Sequence, residues 1–265
     1  MRRQGKTIVF VPTMGFLHEG HLSLMREGKA HGDDLVVSIF INPTQFGPGE
    51  DLETYPRDLE RDLDLVRKEG VDAVFVPDVH EIYGERFQTY VELEKLPNYL
   101  CGNSRPVFFK GVATVVAKLF NIVKPHVAVF GQKDYQQLVI VRQMVRDLNL
   151  DITVIGAPTV REPDGLAMSS RNTYLTPEQR VSALSLCRSL NNAQALLESG
   201  TQDASKIIDA TTDLIRSHPD TEIDYIAVCD PETLVDVKTI DRPVRMVLAV
   251  KVGKARLIDN MLLKP

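Results

Sequence analysis

Short runs of β-branched and apolar residues alternate with stretches of helical periodicity from the start of the chain to about residue 160. Thr7–Val11 and Leu35–Ile41 are continuous apolar runs, typical of strands that a parallel sheet buries on both faces. Between them, Leu22, Leu24 and Met25 recur at helical spacing. Because strand–helix–strand crossovers are right-handed, the pattern predicts an α/β fold with a Rossmann-like, doubly wound parallel sheet.

The same alternation continues through the next hundred residues. Further strands are predicted at 71–76, 126–130 and 152–155, and further helices at 56–69, 112–123 and 134–148. Pro56 is expected to open the first of these helices, with Leu59, Leu63 and Val66 on its inner face.

The pattern changes after Arg161. Thr176, Pro177 and Gln179 have the form of a capping box at the start of a long helix that Gly200 closes. A second helix at 204–217 and strands at 223–228 and 244–250 follow. Two helices followed by strands predict a smaller C-terminal α+β domain. We therefore expect two domains, a Rossmann-like one at 1–161 and a smaller α+β one at 162–265.

Composition excludes several classes of protein. The chain has 265 residues, a formal charge of −5 and 43% apolar residues, which is ordinary for a globular fold. It contains no apolar stretch long enough to span a membrane and no basic stripe, so we expect a cytoplasmic protein that binds neither membrane nor nucleic acid. Cys101, Cys187 and Cys229 lack paired spacing, which argues against disulfides and zinc.

Unusual residues follow the predicted parallel strands where each strand ends. Because the carboxyl ends of parallel strands share one edge of a sheet, these loops are expected to converge there. They are Met14–His21, Asn42–Gly47, Gly131–Gln137 and Arg161–Arg171.

His18 and His21 lie at positions i and i+3 of a helix start, so their side chains share nearly one face. The N–H groups there lack intrahelical acceptors and favour an anion such as phosphate. Zinc would need a third ligand, and the side chain of Glu19 is expected to project away from the pair. Spacing alone leaves phosphate binding, a structural role and metal binding open.

Cationic and hydroxyl side chains in the other loops favour phosphate. Lys133 and Arg171 supply positive charge, and Ser169 and Ser170 supply hydroxyl donors. Taken together with the histidines, they predict a site for a nucleoside triphosphate.

Seven segments in order resemble the pantothenate synthetase family, the pantoate:β-alanine ligases of the HIGH-type nucleotidyltransferase superfamily. They are VPTMGFLHEGH, VSIFINPTQFGP, GNSRP, KLFNIVKP, FGQKDYQQL, VREPDGLAMSSRN and ARLIDN. The resemblance implies ATP-dependent joining of pantoate to β-alanine through a pantoyl-adenylate, with release of pyrophosphate and then AMP. It also implies Mg²⁺ arriving with ATP, and a homodimer.

The resemblance also implies roles for individual residues. His21 would be the proton donor, acting with His18 and Lys133. Pantoate would be bound by Gln45 and Gln137, with Asn42 nearby and β-alanine next to Gln45, and Arg105 would lie on the β-alanine side. The residues implied to bind ATP are Met14, Gly15, Phe16, Leu17, His18, Glu19, Gly20, His21, Gly131, Gln132, Lys133, Asp134, Val160, Met168, Ser169, Ser170 and Arg171.

The sequence departs from the family pattern at Phe108, where relatives commonly have histidine. A hydrogen bond near Arg105 is therefore expected to be missing, with an effect on β-alanine binding or on loop rigidity. Members of the family also typically carry more residues, including a helix, ahead of the first strand.

Two other functions are less consistent with these residues than the ligase. A nucleotidyltransferase for a phosphorylated substrate would need cations where Gln45 and Gln137 stand, and Phe108 is the only support for a silent nucleotide sensor. The acidic residues of the helix after Pro56 are expected to form a solvated face; they are Asp58, Glu60, Asp62 and Asp64.

Overall fold

The structure is a computed structural model that describes residues 4–265 in two compact units. The N-terminal unit contains the described residues up to Asn98, together with Arg105–Gln132 and Gln137–Thr159. The C-terminal unit contains Tyr99–Ser104, Lys133–Gln136 and Val160–Pro265.

Five parallel strands form the sheet of the N-terminal unit. They are β1 (Ile8–Thr13), β2 (Asp34–Ile39), β3 (Ala73–Phe75), β4 (Val127–Gly131) and β5 (Thr153–Ala157). Their order is β3-β2-β1-β4-β5, and every neighbouring pair is parallel. The predicted α/β parallel sheet is confirmed. The chain changes direction across the sheet between β1 and β4, which makes this the switch point where such sheets bind ligands.

Helices cover both faces of this sheet. The helices before residue 160 are α1 (Glu19–Lys29), α2 (Leu59–Lys68), α3 (Val79–Ile82), α4 (Cys101–Ser104), α5 (Phe108–Val123) and α6 (Tyr135–Asp147). Of these, α4 and the first two residues of α6 belong to the C-terminal unit. Phe10 of β1 belongs to a core cluster with Leu138 of α6. Its neighbour Val11 belongs to another cluster with Met25 of α1 and Val66 of α2. Successive strand residues point to opposite faces, so the two clusters lie on the two sides of the sheet.

The C-terminal unit packs two long helices with an antiparallel sheet. Its main elements are α7 (Pro177–Glu198), α8 (Ala204–Arg216), β6 (Thr221–Cys229), β7 (Val244–Val252) and β8 (Ala255–Leu263). Thr176 and Gln179 form the predicted capping box. The last strand was not predicted, because Arg256, Asp259 and Asn260 interrupt its apolar pattern.

Two helix starts differ from the prediction. The second helix begins at Leu59 and not at Pro56, because the Asp58 side chain caps it by accepting from the Arg61 N–H. Leu59 is consequently exposed and does not pack inward as expected. The fifth helix begins at Phe108, four residues before the predicted start at Val112.

Candidate functional site

The loops after β1, β2 and β4 leave neighbouring strands at the same edge of the sheet. The first carries Met14–His21, the second Asn42–Gln45, and the third starts at Gly131 and Gln132. Gln137 lies half-buried in the first turn of α6. The N-terminal unit therefore places the first two predicted loops and the start of the third at the switch point of its sheet, whereas Lys133–Gln136 belongs to the C-terminal unit. Val160 and Met168–Arg171 belong to the C-terminal unit.

His18 and His21 cap the start of α1 with their own rings. The Nδ1 atom of His18 accepts from the Gly20 N–H at 3.2 Å, and Nδ1 of His21 accepts from the His18 N–H at 3.3 Å. The ring centroids are 4.1 Å apart. The two rings thus satisfy backbone N–H groups that the helix start was expected to offer to a bound anion. The histidine pair therefore has a structural role as a reciprocal cap.

This capping also determines where each ring carries its proton. A nitrogen that accepts a hydrogen bond must keep its lone pair, so a neutral His18 or His21 carries its proton on Nε2. Nε2–H is a donor suited to a phosphate oxygen, and structural and phosphate-binding roles are therefore compatible. Within residues 4–265, no group of three His, Cys, Asp or Glu side chains is arranged to hold a metal ion.

Glu19 and Leu17 use their side chains elsewhere. The Glu19 carboxylate pairs with Arg26 of the same helix. Leu17 is fully buried in the cluster that contains Met25. Both side chains are therefore engaged within the N-terminal unit, and the contribution of these two residues to ATP binding stays a prediction.

Gln45 is oriented by a buried amide network. Asn42 Nδ2 donates to Gln45 Oε1 at 3.0 Å and to the Gly111 carbonyl at 3.1 Å. Asn42 Oδ1 accepts from the Tyr83 hydroxyl at 2.7 Å and from the Thr44 hydroxyl at 2.9 Å. The hydrogen-bond partners therefore determine which atom of the Asn42 amide is the oxygen and which is the nitrogen.

The orientation of Asn42 in turn determines that of Gln45. Since Gln45 Oε1 accepts from Asn42, the Nε2 group faces the other way and lies 3.0 Å from Met14 Sδ. Thioether sulfur is a weak acceptor, so this N–H₂ group retains donor capacity for a carboxylate or hydroxyl. Asn42 is 1% exposed and so presents almost no surface to a ligand. Its side chain serves to orient Gln45.

Arg105 holds the loop that follows β2. Its Nε and Nη2 atoms donate to the two Glu50 carboxylate oxygens at 2.6 and 2.5 Å, and Nη2 also reaches the Gln45 carbonyl at 3.3 Å. Its guanidinium carbon lies 3.8 Å from the centroid of the Phe108 ring. The residue that departs from the family pattern thus offers Arg105 a cation–π contact in place of the expected hydrogen bond.

Burial alone would raise the pKa of Glu50, but the hydrogen bonds and charge of Arg105 outweigh it and hold that pKa below its usual value. The ionised carboxylate therefore stabilises the fold above the unfolded-state pKa, and this contribution is lost as pH falls through the folded-state pKa. Between about pH 5 and 3, wild-type stability should fall more than that of Glu50→Gln, by about 1 kcal/mol.

Urea unfolding at a series of pH values measures this difference. Glu53→Gln, at an exposed position of the same loop, is the matched control and should follow the wild-type curve. Parallel pH curves for Glu50→Gln and the wild type would show that the Arg105 pair does not stabilise the loop.

In the C-terminal unit, β7 and β8 bind the segment that contains Lys133. Asn260 Nδ2 donates to the Lys133 carbonyl at 3.0 Å, and Asn260 Oδ1 accepts from Arg245 at 3.1 Å. The Arg245 guanidinium carbon lies 3.9 Å from the centre of the Tyr135 ring. These contacts fix the backbone on both sides of Asp134, which is itself exposed.

Asp259, next to Asn260, binds the other predicted ATP segment. Its two carboxylate oxygens accept from Arg161 at 2.6 and 3.0 Å, and Arg161 also donates to the Gly165 carbonyl at 3.1 Å. The Met168 N–H donates to the Val160 carbonyl at 3.0 Å. The predicted adenine and phosphate segments are therefore brought together within this unit.

The Ser-Ser-Arg stretch forms the start of a short helical turn. Ser169 caps the turn Ser170–Tyr174 by accepting from the Arg171 N–H at 3.3 Å. Ser170 is buried and Arg171 half-buried. The Ser169 hydroxyl oxygen is thus engaged as an acceptor, while its hydrogen remains a possible donor for a phosphate.

Sequence reasoning missed several residues that support these loops. The expectation of a solvated acidic face is wrong for Asp62, which is 1% exposed and accepts from the Phe16 and Leu17 N–H groups. Tyr83 and Asp259 were also missed. For Asp62 and Asp259, the available signal was a charged residue at a position where the helix or strand periodicity points inward. Such residues are rarely buried without a partner, so each one predicts a supporting contact.

The fold belongs to the class of open parallel α/β sheets, whose members bind ligands at the switch point where these loops lie. The family described as Pantoate-beta-alanine ligase matches residues 1–262. The chain therefore belongs to the pantoate-beta-alanine ligase family.

Individual relatives agree with this assignment. The chain is 60% identical over 265 residues to the pantothenate synthetase of Desulfatibacillum aliphaticivorans, covering 100% of this chain and 94% of that protein. The crystal structure of pantothenate synthetase from Thermus thermophilus superposes with a TM-score of 0.95 at 47% identity, covering 98% and 94% of the two chains.

A third relative was crystallised with ligands. The pantoate-beta-alanine ligase of Francisella tularensis, complexed with beta-gamma ATP and beta-alanine, superposes with a TM-score of 0.80 at 35% identity, covering 98% and 90% of the chains. The predicted family, fold class and ATP-dependent ligase activity are confirmed. Over residues 4–265, no helix is both long and apolar enough to cross a membrane.

Proposed function

We propose that the chain makes pantothenate by the adenylate route, with the site residues in the roles predicted from the sequence. The observation that carries this proposal is the His18–His21 cap after β1 at the switch point, in which both Nδ1 atoms accept from backbone N–H groups of the helix start. A carboxylate is a poor electrophile toward an amine, so it must first be activated. No protein nucleophile is needed for that chemistry.

In the first half-reaction, a pantoate carboxylate oxygen attacks the α-phosphorus of ATP. The bond from that phosphorus to the bridging oxygen breaks, and pyrophosphate leaves. Catalysis then requires alignment and stabilisation of the charge that moves onto pyrophosphate. We assign this stabilisation to His18, His21, Lys133 and Arg171, with His21 as the proton donor.

Pantoate is held between two amides in this proposal. The Nε2 group of Gln45, oriented by Asn42, donates to pantoate, and Gln137 binds it from the first turn of α6. Amides suit a hydroxy acid because they offer both a donor and an acceptor. Arg105 acts mainly on the geometry of this loop, since its charge is already paired with Glu50.

In the second half-reaction, the neutral amine of β-alanine attacks the activated carbonyl carbon. An amide bond forms, the bond from that carbon to the phosphate oxygen breaks, and AMP leaves while the amine loses a proton. We assign the ribose to Gly131 and Asp134, the adenine to the Val160 backbone, and the remaining phosphate contacts to Met168, Ser169 and Ser170.

Three further properties implied by the family belong to the same proposal. Mg²⁺ would be bound mainly by ATP oxygens. It would supply charge neutralisation at the phosphates. We also propose a cytoplasmic homodimer.

Oxygen transfer from pantoate tests the adenylate route. With ATP, Mg²⁺ and pantoate labelled with ¹⁸O in its carboxylate, the protein should release pyrophosphate only when both substrates are present. Adding β-alanine should then release AMP that carries one ¹⁸O, because the attacking carboxylate oxygen leaves with the phosphate. Formation of ADP, unlabelled AMP or turnover only with a phosphorylated partner would contradict the proposal.

A further inference from the structure

The bend between β1 and α1 is held by a carboxylate from another helix. Gly15 and Phe16 have left-handed backbones, with φ of 81° and 49°. Successive N–H groups in such a bend point into a small concavity that binds anions. Asp62 of α2 fills it, because its two carboxylate oxygens accept from the Phe16 and Leu17 N–H groups, each at 2.7 Å.

The contact leaves little room for a side chain at Gly15. A Cβ atom at Gly15 would lie 3.0 Å from the Asp62 carboxylate and 3.1 Å from Ile39. Leu17, directly after the bend, is fully buried. The next residue is His18, so a shift of the bend is transmitted at once to the histidine pair.

Stability alone does not account for a carboxylate at this position. Burial raises the pKa of Asp62, and the two backbone N–H groups oppose that rise only in part. A carboxyl group whose folded-state pKa is raised loses stabilising effect as pH rises through that value, so ionisation of Asp62 does not by itself add stability at neutral pH. Its benefit is the local geometry that its two oxygens impose.

We propose that Asp62 is a positioning residue that fixes the Gly15–Leu17 bend and thereby aims His18 and His21 at the phosphates of ATP. This inference rests on the proposed function. Because a protein carboxylate already occupies the backbone concavity, the triphosphate is directed to side-chain donors and not to the Phe16 and Leu17 amides.

Asp62→Asn tests the proposal with a side chain of nearly the same shape. An amide accepts through only one oxygen, and its NH₂ group would face the second backbone N–H. We expect kcat to fall and the KM for ATP to rise, each by about tenfold, with the KM for β-alanine nearly unchanged, while the buried donor–donor contact lowers the thermal midpoint by several degrees.

Asp64→Asn is the matched control on the same helix, since the Asp64 side chain is 57% exposed and pairs only at the surface with Arg67. It should keep wild-type kinetics. In ¹⁵N-labelled protein, the amide proton shifts of Phe16 and Leu17 should move in Asp62→Asn and stay in place in Asp64→Asn.

The outcomes separate this inference from the proposed function. Wild-type kinetics for Asp62→Asn, or unchanged amide shifts at Phe16 and Leu17, would overturn the positioning role. A wild-type protein without pantoate-dependent pyrophosphate release would overturn the proposed function instead, and the two amide shifts would still decide whether Asp62 holds the bend.

Discussion

Replacing His21 by alanine is expected to lower turnover by about 10²–10³-fold, because the developing charge on pyrophosphate loses a positioned donor. The same change removes half of the reciprocal cap, since His21 Nδ1 accepts from the His18 N–H. Loss of such a cap destabilises a protein by about 1 kcal/mol. The thermal midpoint should therefore fall only slightly while activity nearly disappears.

Pyrophosphate release and thermal unfolding of the same samples measure the two effects. His31→Ala is the control, because His31 is exposed near the other end of α1 and its side chain pairs with Glu27 at 3.0 Å. It should retain wild-type turnover. A His21→Ala protein that unfolds at ordinary assay temperatures, or one that turns over normally, would show that the histidine serves the architecture alone.

Gly111→Ala is expected to disable the pantoate side of the site. A Cβ atom at this position of α5 would lie 2.3 Å from the Thr44 carbonyl oxygen and 2.6 Å from the Gln45 nitrogen. Both are backbone atoms, so the turn that carries Gln45 must move away from the helix. That movement also stretches the hydrogen bond from Asn42 to the Gly111 carbonyl.

The expected loss is about 2–4 kcal/mol in the free energy of unfolding, with kcat/KM for pantoate falling about 10²-fold. Gly84→Ala is the matched control, because a Cβ there would meet nothing within 4 Å. Urea unfolding and initial rates at varied pantoate concentration measure both quantities. If Gly111→Ala behaves like Gly84→Ala, the close packing of α5 on the Gln45 turn is not required.

The fold was predictable because its signal is local and repeated. The apolar run that became β1 and the helical spacing of Leu22 and Met25 each report burial at that position. The capping box at Thr176 was equally readable, since its partners lie three residues apart. The last strand was missed because Asp259 and Asn260 resemble loop residues until their partners are known.

The site was predictable only where the residues themselves carry the chemistry. His18, Gln45 and Lys133 could be proposed from motif and loop position, and their assignment to ATP and pantoate stays a prediction. The residues that hold the site loops in place could not be proposed from the sequence, because they are distant from those loops along the chain. Asp62 lies 45 residues from Leu17, and Asn260 lies 127 residues from Lys133.

The sequence by itself determined the parallel sheet, the edge at which its loops collect, and the family to which the chain belongs. Only the tertiary structure decided that Asp62 is buried, that Asn42 orients Gln45, and that Phe108 stacks on Arg105. The reason is physical. Periodicity and motifs record what each residue does along the chain, whereas the burial of a charge depends on partners that folding brings from distant positions.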